Sequence, residues 1–153
     1  TMLTRRSDAQ MDFDFAKVVE ASKDNPVFYV QYAHARIRSL HRRAAEAGIV
    51  AGNHDLSLLE TDELALMKLA AQFPRMVETA AQAREPHRIA FYLYELAGDF
   101  HGLWNRGNDV PELRFLQDDA ALSQSKIALA QAAAIVIASG LGILGVKPAE
   151  EMR

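Results

Sequence analysis

Cysteine is absent from this sequence of 153 residues, which excludes disulfide bonds and metal sites built on thiolates. Positive charge is also scarce, since 17 lysines and arginines against 20 acidic residues give a net charge of −3 at pH 7. That balance argues against a protein that coats nucleic acid with its whole surface. No apolar run follows the basic residues near the N-terminus, so we expect no signal peptide. The length supports one domain with a sizeable core, and the composition is that of a globular protein.

The sequence also lacks the motifs of common catalytic sites. It contains no phosphate-binding loop of the Walker type and no nucleophile elbow. His34 and His41 are seven residues apart on one predicted helix, without a carboxylate at ligand spacing. His87 and His101 are fourteen residues apart on another, too far to share a zinc ion. We therefore expect the histidines to be hydrogen-bonded or exposed to solvent rather than bound to metal.

The most informative stretch is residues 25–40, which predicts a helix with two different faces. Asn25 can cap this helix, and Pro26 suits its first position. A stripe of hydrophobic residues at helical spacing predicts the buried face: Val27, Val30, Ile37, Leu40 and Ala44. The neighbouring face is aromatic first and cationic after: Tyr29, Tyr32, Arg36 and Arg43. Because rings stack on unpaired bases and guanidinium groups neutralise phosphates, this face has the chemistry of a single-stranded RNA reader. An ordinary amphipathic helix, with buried tyrosines and solvated arginines, is the alternative.

Positive charge is concentrated in the same predicted helix. Residues 26–47 carry four arginines and one glutamate, a net charge of +3, which leaves −6 for the remainder of the chain. The four arginines are Arg36, Arg38, Arg42 and Arg43. A basic helix on an acidic body concentrates positive potential where it can orient an RNA, although a solvated run of charges is the simpler explanation.

The rest of the chain predicts further helices and no strands. Helical segments are predicted over residues 62–73, from Pro74 onward, from Pro86 to a fading end at residues 106–108, and over residues 118–145, with a short helix earlier that carries Phe15, Val18 and Val19. The clearest periodicity belongs to the segment that starts at residue 86: Ile89, Leu93, Leu96, Phe100 and Leu103, with Tyr94, Ala97, His101 and Trp104 on its flank. Without alternating strand patterns or fixed-period repeats, the sequence predicts an all-α bundle of about five to six helices.

The last predicted helix contains two patterns that suggest other functions. Residues 127–146 carry no charge and lie between Lys126 and Lys147, which meets the length rule for a membrane span. Alanine and glycine fill much of this segment and Gln131 interrupts it, so we predict a central core helix instead. Residues 140–145 match the dinucleotide-binding fingerprint, but that motif needs a preceding strand, a following helix and a later acid. We expect these glycines to allow close helix packing and to end the helix.

One long stretch resembles a known family. Asn25-Pro-Val-Phe-Tyr-Val-Gln-Tyr-Ala-His-Ala-Arg-Ile37 closely resembles the helix that opens the anticodon-binding domain of bacterial arginyl-tRNA synthetases. Residues 85–97 resemble the segment that gives this domain type its Asp-Ala-Leu-Arg name, although the sequence keeps only the arginine, as Arg88. Residues 140–152 resemble the end of the same domain, with Glu151 where the family usually has arginine. The resemblance extends over nearly the whole chain.

The resemblance implies a DALR-type helical anticodon-binding domain over residues 14–153, preceded by a linker, residues 1–13, from an absent catalytic domain. The parent would be an arginine–tRNA ligase, a class I synthetase that uses ATP with magnesium. This chain lacks the His-Ile-Gly-His and Lys-Met-Ser-Lys-Ser motifs of that catalytic domain, so alone it should be inactive and bind no cofactor. The implied partner is arginine tRNA, with no membrane and no required protein partner, and the parent would be monomeric and cytoplasmic.

The resemblance also implies which residues meet the anticodon loop. Carried over by position, these are Tyr32 with neighbouring Tyr29 and Arg36, Trp104, and Met152. Arg38, from the same basic helix, completes the predicted RNA-binding residues. Packing of the aromatic residues in the core and fraying of the tail are the alternatives for these positions. The alternative function is a helical protein–protein interaction module without RNA binding, which would expose a contiguous apolar patch rather than an accessible, positive tyrosine–arginine face.

Overall fold

The computed structural model of the protein describes residues 25–49 and 54–152. Over these residues the chain forms five α-helices, two short 3-10 helices and no strand, which confirms the all-α prediction. In chain order the elements are α1 (Pro26–Glu46), a 3-10 turn (Leu56–Leu58), α2 (Thr61–Ala71), α3 (Phe73–Ala83), α4 (His87–Asp109), a second 3-10 turn (Pro111–Leu113) and α5 (Ala120–Ile143). The predicted linker, residues 1–13, and the short helix predicted around Phe15, Val18 and Val19 lie outside the described residues.

Helix α1 begins where its sequence predicts and ends at Glu46. The Asn25 side chain accepts a hydrogen bond from the Val27 N–H at 3.1 Å, and Pro26 occupies the first turn. After Glu46 the chain turns at Gly48, whose φ of 73° is a left-handed conformation that favours glycine. The buried stripe is close to the predicted one and includes Val30, Ile37, Leu40 and Ala44, while Val27 is only partly buried.

Helix α5 is the centre of the bundle. It packs against α1, α2 and α4, and it buries Leu129, Ala130, Ala133, Ala134 and Ile137. By length and composition this helix could also cross a membrane, yet half of its most apolar window is buried inside the bundle. The predicted central core helix therefore accounts for its lack of charge, because an internal helix of a globular protein meets the same criteria.

The glycines near the end of α5 have the roles that the sequence predicts. A Cβ atom at Gly140 would lie 2.7 Å from Cδ2 of Leu93, so a larger residue here would require the Leu93 side chain to shift. Gly145 follows the helix with a φ of 75°, and the Gly145 N–H donates to the Gly142 carbonyl. Helix packing at Gly140 and helix termination at Gly145 therefore account for two glycines of the apparent dinucleotide motif.

The end of α4 differs from the prediction. The sequence predicts that this helix fades at residues 106–108, but it continues to Asp109. Gly107 lies inside the helix and is buried under the following loop, where a Cβ atom would lie 3.0 Å from Cα of Arg114. The Arg114 Nε–H also donates to the Gly107 carbonyl at 3.1 Å. Glycine here allows a close approach of the backbone and does not break the helix.

A buried ion pair joins α2 to α5. Lys126 Nζ lies 3.0 Å from Oε1 of Glu63, and the two side chains are only 2% and 7% exposed. The other carboxylate oxygen of Glu63 accepts a hydrogen bond from the Glu60 N–H at 2.9 Å, as part of the capping box that starts α2. The Glu63 carboxylate therefore both caps a helix and fixes its position against the core.

Candidate nucleic-acid interface

The centre of the candidate site is Arg36, which projects from α1 between two aromatic rings. Its guanidinium carbon lies 4.5 Å from the centre of the Tyr32 ring and 5.1 Å from that of the Trp104 ring on α4. Nη2 of Arg36 also donates a hydrogen bond to the Tyr32 hydroxyl at 2.7 Å. These are cation–π distances, so the rings and the guanidinium group hold one another in place. Tyr32 is 42% exposed, which leaves its ring available to a ligand.

A buried histidine lies behind this arrangement. Nη1 of Arg36 donates to Nδ1 of His101 at 3.1 Å, and Nε2 of His101 lies 3.4 Å from the Tyr29 carbonyl oxygen. Because a guanidinium group only donates and a carbonyl only accepts, these partners require the neutral tautomer with its proton on Nε2. Burial and the nearby Arg36 charge lower the pKa of His101, which keeps the neutral form at neutral pH.

Tyr29 lies beside the cleft rather than in it. Its ring centre is 4.7 Å from that of His101 and 4.8 Å from that of Tyr94, and its side chain is partly buried. Burial raises the pKa of its hydroxyl. Tyr29 therefore supports His101 and Tyr94, and direct contact between Tyr29 and RNA stays a prediction.

A cleft of about 390 Å³ opens in front of Arg36. Its walls come from α1, α4 and the C-terminal tail: Tyr32, Ala35, Arg36, Ser39, Arg42, Arg43, Trp104, Glu151 and Met152. Three arginines and one glutamate line it, a net charge of +2. Arg42 is 3.6 Å from Glu151, whereas Arg36 and Arg43 have no carboxylate partner within residues 25–49 and 54–152. Two guanidinium groups are thus available to an anionic ligand.

The C-terminal tail is held against α1 by side chains of that helix. The Gln31 amide donates to the Lys147 carbonyl at 2.8 Å, and Nδ1 of His34 donates to the Ala149 carbonyl at 2.7 Å. Arg38 Nε lies 2.7 Å from Glu150, and this hydrogen bond lowers the pKa of the Glu150 carboxyl group. These contacts bring the end of the tail to the cleft, where Met152 forms part of the wall.

The structure therefore brings four of the six predicted RNA-binding residues to one cleft: Tyr32, Arg36, Trp104 and Met152. Arg38 lies outside it and contacts the tail, so its contact with RNA remains a prediction. Sequence reasoning missed the supporting residues Gln31, His34 and His101. One sequence signal could have grouped two of them with Arg38: Gln31, His34 and Arg38 are spaced at i, i+3 and i+7, which places them on one face of a helix.

Trp104 combines packing with a place at the cleft. Its ring centre lies 6.1 Å from that of Phe100 and 6.1 Å from that of Phe115, within the distances of aromatic pairs. Its side chain is partly buried against the core. The same residue lines the cleft beside Arg36 and a second, smaller cleft that it shares with Arg43. Trp104 is thus positioned by the core while remaining in contact with the cationic cleft.

The fold and the cleft define a helical domain with a basic, aromatic surface site. A model of the DALR anticodon binding domain matches residues 30–152. The chain is 63% identical to the arginine–tRNA ligase of Roseobacter denitrificans and 65% identical to that of Ruegeria pomeroyi, in each case over 99% of this chain and 27% of the relative. Arginyl-tRNA synthetase of Thermus thermophilus has a similar structure, with a TM-score of 0.85 and 33% identity over 99% of this chain and 25% of that one.

The chain belongs to the DALR anticodon-binding domain family. The two relatives named above are arginine–tRNA ligases, and the chain spans about 27% of their length. The resemblance to the synthetase family that residues 25–37 indicate is confirmed.

Proposed function

We propose that this chain is the anticodon-binding domain of an arginine–tRNA ligase and positions arginine tRNA for arginylation by the rest of the parent protein. The observation that carries the proposal is Arg36, whose guanidinium group is held between Tyr32 and Trp104 and has no carboxylate partner among the described residues. An unpaired cation between two rings suits a nucleotide, which presents a flat base beside an anionic phosphate.

The cleft assigns a different task to each kind of side chain. Tyr32 and Trp104 would stack on unpaired bases of the anticodon loop, since every base offers a flat face to an aromatic ring. Arg36 and Arg43, the two cleft arginines without a carboxylate partner among the described residues, would neutralise backbone phosphates. Met152 would add an apolar contact at the end of the cleft, where the tail contacts with α1 place it. The site would thus read a single-stranded loop rather than a duplex.

The chemistry of the proposed parent belongs to the part of the ligase that this chain does not span. ATP and magnesium would be bound there, and the chain alone would bind tRNA without activating arginine. Residues 25–49 and 54–152 contain no group of three or more histidine, cysteine or acidic side chains that could hold a metal ion. We further propose that the parent is cytoplasmic and monomeric and needs no protein partner.

Binding of arginine tRNA to the chain is expected to weaken steeply as salt rises. If Arg36 and Arg43 each neutralise one phosphate, a plot of log affinity against log salt should have a slope of about −1.4 to −1.8, at 0.7–0.9 per phosphate. Filter binding across a salt series measures this slope. An affinity that does not change with salt, or no binding at all, would contradict the proposal and favour the protein–protein interaction module.

A matched pair of arginine variants tests whether RNA phosphates contact the domain at the cleft. Arg43→Ala removes a cleft arginine and is expected to make the slope shallower by about 0.7–0.9. Arg75→Ala is the control, because Arg75 is exposed on α3 and does not line the cleft. Both variants lose one positive charge, so only a local contact distinguishes them. Equal slopes for the two variants would place the RNA elsewhere on the domain.

Arg36→Ala is expected to weaken binding of arginine tRNA while leaving the bundle folded. Arg36 has no carboxylate partner among the described residues, and exposed or partly exposed charges contribute about 0–1 kcal/mol to stability. Thermal melts of the variant and filter binding measured on the same samples separate the two effects. A variant that melts far below the wild type would show that Arg36 is mainly a structural residue.

A further inference from the structure

We infer that His101 is a positioning residue for RNA binding: its neutral imidazole accepts a hydrogen bond from Arg36 and fixes the guanidinium group between Tyr32 and Trp104 before RNA arrives. The consequence for tRNA affinity rests on the proposed function, whereas the orientation of Arg36 is a property of the chain alone. Neither periodicity nor family resemblance assigned a role to this histidine.

The hydrogen-bond partners of His101 fix its tautomer. Tyr29 lies inside α1, where its carbonyl also faces the helical hydrogen-bond ladder, so the Nε2 contact of 3.4 Å is an additional one. Its effect is to hold the ring proton on Nε2. Nδ1 is then a lone-pair acceptor aimed at Nη1 of Arg36, 3.1 Å away. The backbone of α1 thereby determines which nitrogen of a side chain on α4 faces Arg36.

The position of His101 also limits how it can move. Its side chain is 95% buried, and its ring centre lies 4.7 Å from that of Tyr29 and 5.5 Å from that of Tyr32. A ring held on both sides presents its acceptor at a fixed place, which restricts the otherwise flexible arginine side chain. A guanidinium group that is already oriented loses less conformational entropy when a phosphate or base binds.

Two variants separate the acceptor from the bulk of the ring. His101→Asn places an amide oxygen near the position of Nδ1 and retains an acceptor for Arg36. His101→Leu retains apolar bulk but removes the acceptor. If His101 acts through Arg36, the asparagine variant should behave like the wild type and the leucine variant like Arg36→Ala. A merely structural histidine would not be rescued by the smaller asparagine.

The first measurement uses the chain of 153 residues without RNA. Trp104 is the single tryptophan, and the Arg36 guanidinium carbon lies 5.1 Å from its ring centre, so tryptophan emission reports whether Arg36 is in place. We expect His101→Leu to change the emission in the same direction and to a similar extent as Arg36→Ala. The double variant should have the same emission as Arg36→Ala alone. Without Arg36, His101→Leu no longer has an arginine side chain to displace.

The second measurement is the affinity for arginine tRNA by filter binding. His101→Leu is expected to lower the affinity on the order of tenfold, within the range found for coupled neighbouring residues. In the Arg36→Ala background the same substitution should have no further effect, and His101→Asn should bind within about twofold of the wild type.

The outcomes distinguish this inference from the function on which it partly rests. Wild-type emission from His101→Leu, or a folded asparagine variant that has lost as much affinity as Arg36→Ala, would overturn the positioning role. Additive losses of affinity in the double variant would overturn it as well. If emission follows the expected pattern but the wild-type chain binds no arginine tRNA, Arg36 is positioned by His101 and it is the proposed function that fails.

Discussion

Replacing Lys126 with methionine is expected to destabilise the bundle by about 3–5 kcal/mol, the usual cost of removing one partner of a buried ion pair. Methionine keeps most of the apolar length of the side chain but leaves the Glu63 carboxylate buried without a cation. Lys126 Nζ also donates a hydrogen bond to the Leu113 carbonyl at 3.4 Å, so the same ammonium group contacts the loop before α5. A urea titration should show a lower midpoint with an unchanged slope, because the folded and unfolded states keep their exposed areas.

Two further variants make this measurement specific. Lys147→Met removes an exposed lysine that flanks the same apolar segment, and it is expected to change stability by no more than about 0.5 kcal/mol. Replacing both members of the pair, with Lys126→Met and Glu63→Leu, should recover part of the loss, since the stranded charge is gone while the capping bond to Glu60 is not restored. If Lys126→Met costs no more than Lys147→Met, the ion pair does not contribute to the core as we describe.

This ion pair illustrates what the sequence could not predict. Lys126 and Glu63 lie 63 positions apart, and neither belongs to a stripe that points to the other. Helical periodicity reports which face of one helix is buried, and it predicted the core positions of α1 and α4 well because that information is local. It does not report which residue of another helix meets that face, so a pairing between α2 and α5 appears only in three dimensions.

The same limit determines which residues at the cleft could be predicted from the sequence. Tyr32 and Arg36 were predictable because they share one face of α1, and Trp104 and Met152 were carried over from the family resemblance. The role of His101 depends on the meeting of α1 and α4, which no spacing within α4 encodes. The predicted end of α4 was early for a related reason: a glycine near a helix end suggests termination, and no local pattern reports that a loop packs closely against Gly107.

Trp104→Ala is expected to weaken binding of arginine tRNA by about 1–3 kcal/mol, the usual value of one base–aromatic stack. The loss follows if the ring stacks on a base of the anticodon loop while Arg36 contacts the adjoining phosphate. Because Trp104 also packs near Phe100 and Phe115, the variant should lose some stability as well. Binding must therefore be measured at a temperature where melts show the variant fully folded.

Trp104→Phe and Trp104→Leu separate stacking from packing. Phenylalanine keeps a ring and should retain most of the affinity, whereas leucine keeps apolar bulk without a ring and should bind nearly as poorly as alanine. In the wild type, emission from this single tryptophan should change when arginine tRNA is added and much less with an unrelated tRNA. A blue-shifted emission that resists quenchers and ignores RNA, together with a leucine variant that binds normally, would make Trp104 a packing residue. The cleft arginines would then have to bind RNA without it.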